Sequence, residues 1–501
     1  MLLLALGVRR LGGHLAGAIA GALLATNYVY VMYNRAAIME ALMASLIVAS
    51  WSCSTRAGFS GAQRRRFAAE PSGASLELTA LAPAARVAPF RSPTPAWGAA
   101  AGLMATLAYF TKAAAVFYVG ALGLVAVLRI GERWWAAHES SDQSRHDARA
   151  AWWTLAGLAG SFALVAAVFV LPYWSEYRFY NWQMSVTRKP SYALDAVLMR
   201  VSWFPILHDT FSRMWVALCA GLFGAWGIAI SWRRASDAER LLLLWVGVGS
   251  LELLIHDVGN ERRFVFLIPA LIALTSLVLA RGSLLPPEAR AVPRRAVLLA
   301  SPFLFYSGYV LLGALTRVPF LEQVYAHALK MPIRLAFAAA LVATAALLWR
   351  WREVSARWST PWWGPRAAAV VAGIAVGWNL IQFGSWAAGR SYENYQASVA
   401  LGRALPPGTL VQGKLANGLA LENRMSPLFI GHQFGNYADR KDRWDVRYIL
   451  TYTDPELGYE GDQILDVLAA YPGWRIIMTF DVAETRSGHD TAALIEKRAR
   501  D

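Results

Sequence analysis

The sequence predicts an all-α polytopic membrane bundle of about eleven complete transmembrane helices after an N-terminal stub, with a small C-terminal α/β domain outside the membrane. Three observations predict this. Of 501 residues, 56% are hydrophobic and only 16% charged, where a soluble chain carries about a quarter charged. The chain holds 22 Trp, and aromatic residues gather where a chain crosses membrane interfaces. The apolar residues also fall in runs that approach the roughly 20 residues needed to span a bilayer. A disordered protein, a disulfide scaffold and an ordinary cytosolic enzyme are excluded.

In chain order, Met1 to Val8 is apolar but too short to cross, and its charges, Arg9 and Arg10, follow the apolar run instead of preceding it. It therefore reads as part of a helix and not as a signal peptide. Expected spans then lie near 14–32, 36–52, 96–111, 113–130, 150–172, 214–231, 241–257, 264–281, 296–315, 333–349 and 367–387. The loop 53–95, with Arg64-Arg65-Arg66, is rich in Ser, Ala, Pro and Arg and reads as a flexible excursion. The loop 173–213 is aromatic (Trp174, Tyr177, Phe179, Tyr180, Trp182) and suits the interface.

Charge orients the bundle. The loops at Arg9/Arg10, 53–95, 129–149, 232–240, 281–295 and 350–366 hold 23 Lys/Arg, and the intervening set holds 12. By the positive-inside rule the first set is cytoplasmic. The second set, with everything after residue 387, faces outward, which places the protein in the inner or plasma membrane. The basic excess behind the net charge of +15 lies in the first 387 residues, with 35 Lys/Arg against 18 Asp/Glu, since 388–501 carry 13 Lys/Arg against 15 Asp/Glu. Nucleic acid is excluded as a partner.

Residues 388–501 read as a soluble α/β domain. A helix covers 391–405, short apolar runs follow at 409–412, 426–430, 446–452 and 475–480, and a helical pattern occupies 462–471. Gly408 to Lys414 has phosphate-loop spacing, but Leu415 stands where Ser or Thr would bind magnesium. Cys53 and Cys219 are far apart and give neither a disulfide framework nor a thiolate metal site. No metal or cofactor is expected.

The informative residues are ionisable groups at the outer mouths of the spans, where charge is costly and usually kept for a partner or ligand. Arg35 and Glu40 bracket one outer turn; five residues apart, they meet only if a helix starts between them. Snorkelling by Arg35 and a helix-start carboxylate at Glu40 is the plainer reading. Lys112 stands as a lone cation at a second turn, with the same plain reading. His256-Asp257-Val-Gly-Asn260-Glu261-Arg262-Arg263 opens a helix at Phe264, and Pro269 inside it suggests a helix distorted beside a cavity. Arg35, Lys112, Arg262 and Arg263 on one side of the membrane could hold a phosphate or pyrophosphate at headgroup level.

These segments resemble the lipid-linked-sugar glycosyltransferases of the GT-C class, specifically the bacterial group that is similar to protein O-mannosyltransferases and the aminoarabinose transferase of lipid A. Arg9-Arg10-Leu-Gly-Gly-His-Leu-Ala-Gly-Ala is similar to that family's basic turn after its second helix. Tyr33-Asn34-Arg35 to Glu40 resembles its S-R-x-x-x-x-D/E turn, with Asn for Ser. Thr111-Lys112 resembles its T-K-G turn, with Ala113 for Gly. Arg263-Phe264 to Pro269 resembles its R-Y-x-x-x-x-P helix start, with Phe for Tyr.

The resemblance implies transfer of a sugar from a polyprenyl-phosphate donor to a glycan, lipid or protein acceptor on the outer face, with inversion. It implies that Lys112, Arg35, Arg262 and Arg263 hold the donor phosphate. The family's general base lies in an outer loop between its first two helices, and the present residues contain no counterpart of that loop. A shortened chain, impaired in catalysis, is one expectation; substitute acids among Glu40, Asp257 and Glu261 and an inactive relative are the others. From the residues alone, a transporter or flippase of a lipid-linked substrate and a non-catalytic membrane scaffold also stay open.

Overall fold

The computed structural model describes residues 1–35, 39–59, 95–135, 142–187, 192–207, 213–256, 261–315, 330–428, 445–453, 467–482 and 490–498. Two compact units result. One comprises Met1–Pro172 and Pro190–Phe383, the other Tyr173–Lys189 and Gly384–Asp501.

The first unit is helical because long apolar runs in a bilayer must satisfy every backbone donor and acceptor internally. Its opening helix α1 (Leu2–Thr26) is broken at Gly13, whose φ of 84° suits glycine alone. The chain reverses there. A Cβ placed on Gly17 would lie 2.8 Å from Ala5 O and 2.8 Å from Arg9 Cβ, so the two arms run back against each other with glycine at the contact. The Arg9-to-Ala18 segment is thus the turn of a helical hairpin. Arg10 Nη1 donates to Thr55 Oγ1 at 3.0 Å and to Ser52 O at 3.2 Å, tying this turn to the end of the second long helix.

Each expected span is helical over most of its described residues. Next come α2 (Tyr28–Arg35), α3 (Met39–Ser54), α4 (Pro95–Thr111), α5 (Val116–Trp135) and α6 (Asp142–Val165). The aromatic loop expected at 173–213 instead contains two helices, α7 (Trp174–Thr187), part of the second unit, and α8 (Leu194–Leu207). There follow α9 (Trp215–Ile230), α10 (Asp237–His256), a 3-10 segment Glu261–Leu267, α11 (Ile268–Arg281), α12 (Arg294–Leu315), α13 (Lys330–Trp349), α14 (Trp351–Trp358) and α15 (Pro365–Ala388). By length and composition, six described helical stretches suffice to cross a membrane, or up to eight if each bent pair is one span; one of the six is α1, which reverses at Gly13. The chain is a multi-pass membrane protein. The expected excursion at 53–95 lies outside the described residues from 60 to 94.

The arginine-rich loops gather at one end of the bundle. Arg129 pairs with Asp237 at 2.7 Å, and Arg240 reaches both Glu132 (2.8 Å) and Asp237 (3.1 Å). Ser236 and Glu239 form a capping box at the start of α10, with Ser236 N donating to Glu239 Oε2 at 2.9 Å. Arg234 donates to Glu288 O at 3.0 Å, and Trp362 N donates to Gly282 O at 2.8 Å. The loops 129–149, 232–240, 281–295 and 350–366 are therefore joined to one another through their described residues.

Among its described residues the second unit holds α16 (Glu393–Ala404), a short helix α17 (Lys414–Gly418) and five strands: β1 (Leu410–Gln412), β2 (Ser426–Leu428), β3 (Tyr448–Tyr452), β4 (Arg475–Val482) and β5 (Asp490–Glu496). The sheet order is β2-β1-β3-β5-β4, parallel among the first three and antiparallel about β5. Alternate residues face opposite ways, as strand geometry requires. Leu450, Tyr452, Ala492 and Leu494 pack under Ala397 and Leu401 of α16, while Ile449, Ala493 and Ile495 pack with Val467 and Leu468 on the other face. The phosphate-loop spacing at 408–414 is a strand and a turn. Gly413, at φ 130°, sits so close to β3 that a Cβ there would lie 2.2 Å from Leu450 O. Of the helical pattern expected at 462–471, residues 467–469 are helical and 462–466 lie outside the described residues.

Glu496 ends β5 and is 2% exposed. Burial pushes its carboxyl up, but the hydrogen bonds from Arg475 and Arg447, with the charges of Arg447 and Arg498, outweigh that and hold it at about 2. An ordinary Glu titrates near 4.3. A depressed folded pKa gives stability that is complete above the unfolded value and is lost as pH falls through the folded one. The sheet should therefore loosen between about pH 4.3 and 2. Hydrogen exchange of the β3 and β5 amides, compared at matched pH, should show this loosening in the wild type and little pH dependence in Glu496→Gln.

Candidate functional site

At the end of the bundle away from the arginine network, α2 and α3 both pack against the 3-10 segment Glu261–Leu267. Helix α2 ends at Arg35 and α3 begins at Met39, with their axes bent by 117°. A helix thus starts between Arg35 and Glu40, the condition under which the two can approach. Glu40 lies in the first turn of α3 and is 3% exposed. A carboxylate at a helix N-terminus is favoured by the helix dipole, but burial at this depth calls for a stronger partner.

That partner is Lys112. It follows α4 directly, in extended conformation (φ −156°, ψ 122°), and leads a short 3-10 turn, Ala113–Ala115, into α5. Its Nζ donates to Glu40 Oε1 across 72 residues of sequence, and its side chain is 19% exposed. The lone, snorkelling lysine that the sequence suggests is corrected: Lys112 is one half of a mostly buried ion pair. The reason is packing. Helices α3 and α4 run side by side, pinned by the Ser50 Oγ to Ala101 O hydrogen bond of 2.7 Å. That contact brings the start of one beside the end of the other.

The 3-10 segment is held from behind by aromatic residues. Phe266 stacks on Phe117 of α5, with centroids 4.7 Å apart, and Trp245 Nε1 of α10 donates to Phe266 O at 2.9 Å. Phe264 is fully buried, and Arg263 is half-buried beside it. Pro269 stands at the first turn of α11, where the helical stretch from Arg263 changes from 3-10 to α.

Gly249 of α10 makes this packing possible: a Cβ there would lie 2.8 Å from Phe266 and 3.1 Å from Phe117. Gly249→Val should displace the 3-10 segment and cost about 1–3 kcal/mol through overpacking. Thermal unfolding in detergent checks the stability. Protection of the Glu261–Leu267 amides from exchange checks the displacement.

Of the residues singled out from sequence, Glu40 and Lys112 touch. Arg35, Glu261 and Arg262 are carried on the elements that converge at this end, α2 and the 3-10 segment, and Arg263 follows them. Asp257 lies outside the described residues. Among the described residues no group of three or more His, Cys, Asp or Glu could hold a metal ion. The site as described offers an ammonium fixed by a buried carboxylate, with further cations on the adjoining elements. Such a set can bind a phosphate and stabilise negative charge developing on it in a water-poor setting.

No protein-family model matches this chain, and no curated protein matches it. Two solved structures show some likeness over nearly the whole chain. One is the crystal structure of ArnT from Cupriavidus metallidurans in the apo state, at 15% identity, covering 98% of this chain and 80% of that one, with a TM-score of 0.48. The other is ArnT from the same organism bound to undecaprenyl phosphate, at 16% identity, covering 98% and 81%, with a TM-score of 0.44.

Proposed function

We propose that this protein is a membrane glycosyltransferase that takes a sugar from a polyprenyl-phosphate donor at the Glu40–Lys112 end of the bundle. The observation that carries the reading is the buried ion pair itself. An ionisable pair at membrane depth is costly and is a functional feature by default. This one lies where the residues that resemble the family's S-R-x-x-x-x-D/E, T-K-G and R-Y-x-x-x-x-P segments adjoin through their helices.

In this reading Lys112 holds the donor phosphate, and Glu40 is a positioning residue that keeps the ammonium in place. Arg35, Arg262 and Arg263 add charge to the phosphate-binding end. When the anomeric carbon–oxygen bond of the donor breaks, the bonding electrons stay with the polyprenyl phosphate, whose growing charge these cations stabilise. An acceptor hydroxyl attacks from the opposite face, inverting the centre, and loses its proton to a carboxylate. Asp257 and Glu261 are the carboxylates proposed for that step in this chain.

The full topology belongs to the same proposal: eleven spans, arginine-rich loops in the cytoplasm, and 388–501 as an extracytoplasmic domain of an inner or plasma membrane protein.

The test uses the purified chain reconstituted with a radiolabelled polyprenyl-phosphate sugar and a panel of glycan, lipid and protein acceptors. Label should pass to an acceptor with inverted anomeric configuration. Movement of the donor across the vesicle membrane without any transfer would overturn the reading in favour of a transporter.

A further inference from the structure

Away from the Glu40–Lys112 pair, α9, α10 and α12 enclose a groove of about 1330 Å³, larger than the roughly 300–1,000 Å³ of pockets that take drug-sized ligands. Its walls are apolar along most of their length, with Leu251 (54%) and Leu299 (84%) exposed. Its charge is confined to one end. There Arg233, Arg234 and Arg295 line it, beside the contact of Arg234 with Glu288 O at 3.0 Å.

The lining runs along α12 from Arg295 to Val310, about 22 Å at the helical rise. It runs along α10 from Leu243 to Leu254, about 16 Å. Each exceeds the roughly 15 Å depth of one hydrocarbon leaflet. Pro302 lies inside α12 and lines the groove, opening the helix ladder there; the carbonyl of Leu298 is taken by Ser301 Oγ at 2.7 Å.

The charged end is poorly composed for a site that stays empty. Helix α12 starts with Arg294 and Arg295 and has no acidic residue in its first turn, so two cations sit at the positive end of a helix dipole. An anion beside them removes that repulsion. Water or a small anion would meet the need at the mouth, but neither suits the long apolar walls behind it. An amphiphile with an anionic head and long chains suits both parts.

We infer that the groove binds an anionic phospholipid of the leaflet on that side, with its phosphate at Arg233, Arg234 and Arg295 and its acyl chains between α10 and α12. Basic pockets between helices, at the arginine-rich face of a membrane protein, bind such headgroups. The charged end of the groove is formed by Arg233, Arg234 and Arg295, outside the elements of the donor end, while its apolar wall reaches Leu267 of the 3-10 segment; variants at the three arginines therefore test the inference apart from the glycosyltransferase reading.

Native mass spectrometry of the whole protein from nanodiscs tests it, with phosphatidylglycerol and phosphatidylcholine as probes. Wild type should retain phosphatidylglycerol over phosphatidylcholine by at least roughly tenfold. The triple variant Arg233→Gln/Arg234→Gln/Arg295→Gln should lose that preference. Gly247→Phe is a second variant: the glycine lines the groove and a Cβ there meets nothing within 4 Å, so the ring fills the groove without straining the fold. It should release both lipids. Gly308→Phe, equally unhindered and outside the lining, should keep the preference.

Equal retention of the two lipids, or unchanged preference in the triple variant, would overturn the inference. So would displacement by inorganic phosphate alone, stronger retention of a polyprenyl phosphate, or a shift between monomer and dimer with Gly247→Phe that assigns the groove to a second copy of the chain.

Discussion

Lys112→Met is expected to abolish sugar transfer and to cost about 3 kcal/mol of stability, because it takes the ammonium away from the buried Glu40 carboxylate. The low end of the usual 3–5 kcal/mol range applies, since the Lys112 side chain keeps 19% exposure and water can reach its mouth. The informative variant is the double replacement Glu40→Leu/Lys112→Leu. It removes both charges and leaves apolar groups of similar reach, an exchange that is often neutral or stabilising. Thermal unfolding should recover to within about 1 kcal/mol of wild type, while transfer stays absent. A purely structural pair behaves otherwise: restoring the fold would restore transfer, and the proposed role of Lys112 would be wrong.

Gly102→Leu is expected to prevent folding of the membrane unit. Helices α4 and α6 meet backbone to backbone, and the would-be Cβ of Gly102 lies 2.5 Å from Leu158 N and from Thr154 O. Gly98 meets Ala150 O at 2.6 Å and Gly157 meets Ala99 O at 2.4 Å in the same way. Small residues at such spacing let transmembrane helices approach closely. No rotamer relieves a clash with backbone, so the helices must part, at or beyond the upper end of about 3 kcal/mol seen for overpacked sites.

Parting them also removes the hydrogen bond from Ser161 Oγ to Thr106 Oγ1 at 2.7 Å and loosens α4, which carries the Ala101 O acceptor of Ser50 Oγ. Lys112 follows α4 directly, so it would leave Glu40 with the helix. Gly160→Leu is the matched control, on the same helix as Gly157 but exposed, with nothing within 4 Å of its added Cβ. Monodispersity on size exclusion in mild detergent should be lost for Gly102→Leu and kept for Gly160→Leu.

The helices of the first unit were legible in the sequence because partition into a bilayer is a local property. Each apolar run forms a helix at nearly the expected place, whichever neighbours it later meets. The reversal at Gly12-Gly13 was legible for the same reason, since two arginines and two glycines interrupt an apolar stretch. In the second unit the helix at 393–404 and four of the five strands announced themselves by their alternation and turns. Strand β5 did not. Asp490-Thr-Ala-Ala-Leu-Ile-Glu496 is rich in helix formers, and only its place between β3 and β4, with both faces covered, makes it a strand.

The site divides along the same line. Sequence marked Glu40 and Lys112 separately, each as a charge out of keeping with its depth, and it marked the break between Arg35 and Glu40. Their pairing across 72 residues was invisible, because it depends on α3 and α4 lying together, which no spacing encodes. The convergence of α2 with the 3-10 segment, the glycine that admits Phe266, and the groove with arginines at one end were equally hidden. What this sequence determined alone was which segments leave water and which end of the bundle is basic, since both follow from the free energy of single residues in their surroundings. The tertiary structure decided which charges neutralise one another and where a cavity is left open, because those depend on contacts between segments remote in the chain.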